Sequence, residues 1–157
     1  IVDSEQDIDT AVAEAARWDG MVLIEKYIAG REVTVPVVNG EVFPVVEILP
    51  AARWYDYSAK YADDRTQYDV APENLPAELH QIVLAACQVC GVTAISRTDL
   101  RVDAEGRPWI LEINTIPGMT SHSLVPMSAR AFGIDIGELC ERLLLQCVRN
   151  RRKHHAA

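Results

Sequence analysis

Apolar positions between residues 4 and 18 recur at helical spacing, with Ile8, Val12 and Ala15 on one stripe. Ser4 is a candidate N-cap and Gly20 lies beyond the end, which predicts an amphipathic helix over Ser4 to Trp18. Three strand-like runs follow, Met21 to Ile28, Val33 to Val38 and Glu41 to Leu49, and Asn39-Gly40 between the last two is a strong hairpin signal. From Pro50 to Pro72 the periodicity dissolves in a segment holding four of the five tyrosines, which predicts a long omega-type loop acting as a lid or binding loop. AELHQIVLAACQVCG then reads as a helix, with Pro76 near its first turn and Gly91 just past its end. Two more helices are predicted over Leu124 to Ala131 and Ile136 to Val148, the second with Leu139, Leu143 and Cys147 at helical spacing. The order of elements predicts an α+β fold, an antiparallel sheet with helices to one side.

Between the last two predicted groups of helices lies TAISRTDLRVDAEGRPWILEINTIPGMTSHSL, which reads as two strands joined by a turn at Asp103 to Gly106. Strand side chains alternate faces, so residues two apart share one. An odd index sum such as 209 or 211 across the turn puts Arg97 and Asp99 on the same face as Glu112 and Asn114. The other face would carry Thr98, Leu100 and Val102 beside Trp109, Leu111 and Ile113. A hairpin apolar on one side and acidic on the other predicts a cation beneath the acidic side. Its hard oxygen donors suit magnesium, which in such sites bridges to nucleotide phosphates.

Composition narrows the classes. With 157 residues and 49% hydrophobic content the chain can bury the core of a single globular domain. The net charge is -8, and four of the fifteen basic groups sit in the last nine residues. That leaves a strongly acidic body and argues against nucleic acid as a partner. The basic stretch 149–157 is expected to be a disordered tail after a folded unit over 1–148. No apolar run approaches a membrane span and no signal segment opens the chain, so the cytoplasm is the expected location. Cys87 and Cys90 form a CxxC, but Cys140 and Cys147 lie about two helical turns away from each other with no interleaved His. Buried free thiols are the expectation.

MVLIEKYIAGREVTV, YDYSAKY and TDLRVDAEGRPWILEINTIPGMTSHSLVP, in that order, resemble the C-terminal part of the D-alanine-D-alanine ligases, which are ATP-grasp enzymes. The resemblance covers about residues 1 to 148. It implies two steps: ATP phosphorylates the carboxylate of one D-alanine, and the amine of a second attacks the acylphosphate. It also implies roles. Glu25, Lys26 and Ile28 would receive the adenine, and Glu32 the ribose hydroxyls. Lys60 would approach the terminal phosphate, while Arg97 would stabilise the phosphoryl group and the later tetrahedral centre. Asp99, Glu112 and Asn114 would hold Mg2+ or Mn2+, as two ions with Glu112 bridging. Gly118 would donate its amide to the developing oxyanion, and Ser123 with the Leu124 amide would hold the acceptor's carboxylate at a helix start. Tyr61 would close the loop over the reactants through a hydrogen-bonded triad and so favour an amine acceptor.

The sequence departs from the family pattern in places. Ile116 stands where a serine is usual, and Ser96 where a glycine often precedes the arginine. The glycine-rich phosphate loop, the first substrate's glutamate, the triad's serine and two phosphate-lining lysines have no counterpart here, which implies a partial enzyme. The complete protein is expected to be a homodimer. Alternatives to the ligase are a catalytically silent ATP-grasp fragment or a ligase for a related D-amino or D-hydroxy acid.

Overall fold

The structure, a computed structural model, describes residues 1–50 and 66–154, with 150–154 as backbone alone. A single 3-10 turn, Glu5–Asp7, leads into α1, Ile8–Ala15, and Ser4 Oγ accepts the Gln6 amide at 3.2 Å, as a cap should. No residue of α1 is buried. The sheet comprises β1, Arg31–Val38; β2, Glu41–Val42; β3, Val46–Leu49; β4, Gln67–Val70; β5, Ile95–Val102; and β6, Pro108–Asn114. Its order is β4-β3-β1-β5-β6, with β2 paired to β1 and every pairing antiparallel. The helices after β4 are α2, Leu79–Val89; α3, Leu124–Phe132; and α4, Ile136–His154.

The predicted α+β class holds, and helices cover both faces of the sheet instead of one. Val33, Val35 and Val37 of β1 alternate onto one face and pack with Leu100 and Val102 of β5 against Leu79, Val83 and Cys87 of α2. The opposite face is apolar only toward one end. There, Val38 meets Val125 and Ala129 of α3 and Leu139 of α4, while Val46 and Ile48 meet Leu124. The rest of that face is polar. At the Asn39-Gly40 turn both residues have positive φ, 52° and 82°, as the tight hairpin requires.

Several predicted boundaries move, each for a local reason. Glu41 to Leu49 divides into β2 and β3 because Pro44 has no amide to donate and interrupts the ladder. Met21 to Ile28 runs extended but forms no strand, and Met21 and Leu23 are exposed. β4 arises where a loop was expected. TQYDV alternates after all, and its Tyr68 and Val70 pack beside Val46 and Ile48. Most of the stretch from Pro50 to Pro72 expected to form an omega-type loop, residues 51–65, lies outside the described residues. α4 continues past the predicted end at Val148 and runs to His154. Cys87 is buried, but Cys90, Cys140 and Cys147 are exposed, so the expectation of buried thiols holds for Cys87 alone, even though Cys147 keeps helical spacing with Leu139 and Leu143.

Candidate active site

β5 and β6 pair Arg97 with Asn114, Thr98 with Ile113 and Asp99 with Glu112, an index sum of 211. Directly opposite residues point to the same side of the sheet, so Arg97, Asp99, Glu112 and Asn114 share one face. Beyond Asp99 the register slips by one: Leu100 faces Ile110 and Arg101 faces Trp109. Leu111 is the extra residue of this β-bulge. The expected apolar row of Trp109, Leu111 and Ile113 is therefore broken, with Trp109 moved to the polar face opposite Arg101. β6 is an edge strand and leaves Trp109, Ile110 and Leu111 exposed.

Electrostatics organise this face. Arg97 is 7% exposed and grips Asp99 with both arms of its guanidinium, Nε to Oδ1 at 2.9 Å and Nη2 to Oδ2 at 2.6 Å. Glu112 Oε1 lies 3.8 Å from Arg97 Nη2 and its side chain is 62% exposed, which leaves it able to reach another cation. Asn114 Oδ1 accepts the Ile116 amide at 3.0 Å, fixing the chain as it leaves β6. Among the described residues no three His, Cys, Asp or Glu side chains form a cage of their own. The candidate set instead mixes two carboxylates with an amide, all hard oxygen donors on adjacent strand positions, and this fits Mg2+ or Mn2+ rather than a thiophilic metal.

Farther along the same face Glu32 of β1 stands opposite Arg101 and pairs with it at 2.8 Å. Burial pushes the Glu32 carboxyl above its ordinary value, Arg101 opposes that, and Asp99 reinforces it. Arg101 also donates to the Gly30 carbonyl at 3.1 Å and lies 5.5 Å from the Tyr27 ring centre. Tyr27, Gly30, Glu32 and Arg101 line a cavity of about 670 Å3 that also reaches Asn74 and Gly106. Glu25, Lys26 and Ile28 are not among its lining residues; Glu25 and Lys26 are exposed in an extended segment, and Ile28 is half-buried. Gly30 is irreplaceable for backbone reasons: at φ 145° a Cβ would fall 2.0 Å from the Val102 carbonyl oxygen.

The loop after β6 brings two further candidates together. A Cβ on Gly118 would sit 2.8 Å from Ser123 Oγ, so the loop packs closely on the Ser123 side chain, which would have to shift for a larger residue. Ser123 Oγ accepts the Thr120 amide at 3.0 Å and lies 2.8 Å from Thr120 Oγ1, and makes no bond to the first amides of α3. Ser123 is thus not a side-chain cap. Leu124 is 6% exposed, with its side chain in the core and its amide at the start of α3. Lys60 and Tyr61 lie outside the described residues. Thr34 and Arg101 were missed by the sequence reading, although both sit on the alternation that selected Asp99 and Glu32; only the β1–β5 register, Thr34 to Asp99 and Glu32 to Arg101, exposes their connection.

An antiparallel sheet with this acidic strip and helices on both faces is the C-terminal part of an ATP-grasp fold. Residues 1–145 match the family model described as the D-ala D-ala ligase C-terminus, and the chain belongs to that family. It is 45% identical over 147 residues to the D-alanine--D-alanine ligase of Alkalilimnicola ehrlichii, covering 92% of this chain and 47% of that protein. The corresponding figures for the Ectopseudomonas mendocina ligase are 43% over 153 residues, 96% and 49%. The crystal structure of the Bacillus anthracis D-alanine--D-alanine ligase complexed with ATP superposes with a TM-score of 0.82 at 35% identity, over 98% of this chain and 51% of that one. The VanG D-Ala:D-Ser ligase of Enterococcus faecalis gives 0.72 at 28% identity, over 91% and 43%. The chain spans about half the length of the curated relatives it matches. No helix among the described residues is long and apolar enough to cross a membrane.

Proposed function

We propose that this chain is the nucleotide- and metal-binding half of a cytoplasmic, homodimeric ligase that joins two D-alanines into D-alanyl-D-alanine for peptidoglycan precursors, using ATP. One observation carries the reading: Arg97, Asp99, Glu112 and Asn114 converge on one face at two alternate register pairs, separated by Thr98 and Ile113. Phosphoryl transfer needs charge neutralisation and alignment more than covalent help. Arg97, held by Asp99 and nearly buried, is a fixed cation for the moving phosphoryl group. Asp99, Glu112 and Asn114 would hold Mg2+, which when bound screens the phosphate charge. Glu32 is a carboxylate short of solvation, so hydroxyl donors such as those of a ribose would satisfy it, with Glu25, Lys26 and Ile28 on the chain leading to it.

In the first step a D-alanine carboxylate oxygen attacks the terminal phosphorus and ADP leaves. In the second, the amine of the other D-alanine attacks the acyl carbon, phosphate departs, and the amine loses a proton. The Gly118 amide and Arg97 would stabilise the oxyanion, and Ser123 with the Leu124 amide would hold the acceptor's carboxylate. Lys60 would meet the terminal phosphate, and Tyr61 would help exclude water from the acylphosphate. Phosphate release from MgATP by the full-length protein, with D-alanine, D-serine, D-lactate or L-alanine in turn, tests this. Release with D-alanine and recovery of the dipeptide is expected. Strong turnover with D-lactate at neutral pH would overturn the amine acceptor, and no turnover with any of them would favour a silent nucleotide-binding fragment.

A further inference from the structure

We infer that Thr34 is a positioning residue for the metal site, a role that rests on the reading of Asp99 as a metal ligand. Thr34 is wholly buried in the middle of β1, faces Asp99 across the β1–β5 ladder, and directs Oγ1 at Asp99 Oδ1 from 2.5 Å. Its other neighbour, the Thr98 carbonyl oxygen, is 3.4 Å away, so the single hydroxyl proton goes to the carboxylate. A buried hydroxyl is costly unless it is bonded, and valine would fill this β-branched strand position without that cost. The hydroxyl is spent on Asp99. Oδ1 then receives two donors, Thr34 Oγ1 and Arg97 Nε, against one on Oδ2, from Arg97 Nη2. Thr34 therefore fixes the carboxylate plane and leaves Oδ2 as the oxygen with capacity for a cation. Thr34 touches no reacting atom; it acts through Asp99.

Four side chains at this position separate hydroxyl from packing: Thr and Ser keep the hydroxyl, while Thr and Val keep the methyl group. Mn2+ affinity is read from free-ion spin resonance in the full-length protein with a nonhydrolysable ATP analogue, and thermal melts report folding. Thr34→Ser should bind Mn2+ like the parent, whereas Thr34→Val and Thr34→Ala should bind about tenfold more weakly, the scale typical of groups that orient metal ligands. If Thr34→Val fails to fold, Thr34→Ser against Thr34→Ala still isolates the hydroxyl. Affinity that follows the methyl group, or does not change, overturns the role of Thr34. Asp99→Asn distinguishes the two levels: if it leaves Mn2+ affinity intact, Asp99 is no ligand; if it weakens binding while Thr34→Ala does not, only the positioning role falls.

Discussion

Asp99, within β5, and Asp103, in the turn just after it, are four residues apart and put the same functional group to opposite uses. Asp103 takes four donors, all from the next six residues: the Glu105 and Arg107 amides at 3.1 and 2.8 Å, Arg107 Nε at 2.8 Å and Trp109 Nε1 at 2.9 Å. Every one of them closes the turn whose Gly106 has φ 78°. Asp99 takes its donors from its own strand and from β1, at a point where β6 adds Glu112 alongside. A carboxylate saturated by local donors shapes backbone. One held by donors from two strands is fixed in place, as the proposed metal site requires.

Substitutions can break that contrast, the largest effect first. Asp99→Asn or Glu112→Ala should lower metal-dependent phosphate release by the full-length protein about 100-fold or more, while Asp103→Asn leaves it near the parent rate. Equal losses at both aspartates would erase the distinction. Gly30→Ala, between the two regions through its carbonyl bond to Arg101, should lower the unfolding free energy by about 3 kcal/mol in urea titration, because it joins positive φ to an overlap with Val102. Asp103→Asn should lower the thermal midpoint slightly and speed hydrogen exchange at the Arg107 amide, with Mn2+ affinity unchanged.

The smallest effect is in acid. Burial acts to raise the Asp103 carboxyl, but hydrogen bonds from Trp109 and from the amide and guanidinium of Arg107 outweigh it and hold it at about 2. A carboxyl depressed on folding stabilises the native state above its ordinary value of 3.8 and loses that contribution as pH falls through about 2. Carbon-detected NMR should therefore find Asp103 ionised at pH 3. Glu32 works in the opposite sense: its raised carboxyl favours the fold most below the ordinary range, and that advantage is lost as pH rises through its folded value.

Much of the site was legible from alternation alone. An odd register was enough to align Asp99 with Glu112, and the observed sum is 211. The bulge at Leu111 was not legible, because a slip of one residue leaves composition and turn signals unchanged while moving Trp109 to the other face. Thr34 and Arg101 were hidden for a different reason: their significance depends on β1 lying beside β5, more than sixty residues away in sequence. β4 was obscured by the polar sequence before it, since four residues give little periodicity until β3 supplies a partner.

Local chemistry thus determined, without any tertiary information, the Asn39-Gly40 hairpin, the main helices, the antiparallel character of the sheet and the shared face of Arg97, Asp99, Glu112 and Asn114 on the β5–β6 hairpin. Tertiary structure alone decided which strand flanks that hairpin, that helices close both faces, and that Thr34 lies against Asp99 and Arg101 against Glu32. The physical reason is range: turns and alternation follow from steric preferences within a few residues, whereas strand neighbours are selected by burial and hydrogen bonding summed over the whole chain.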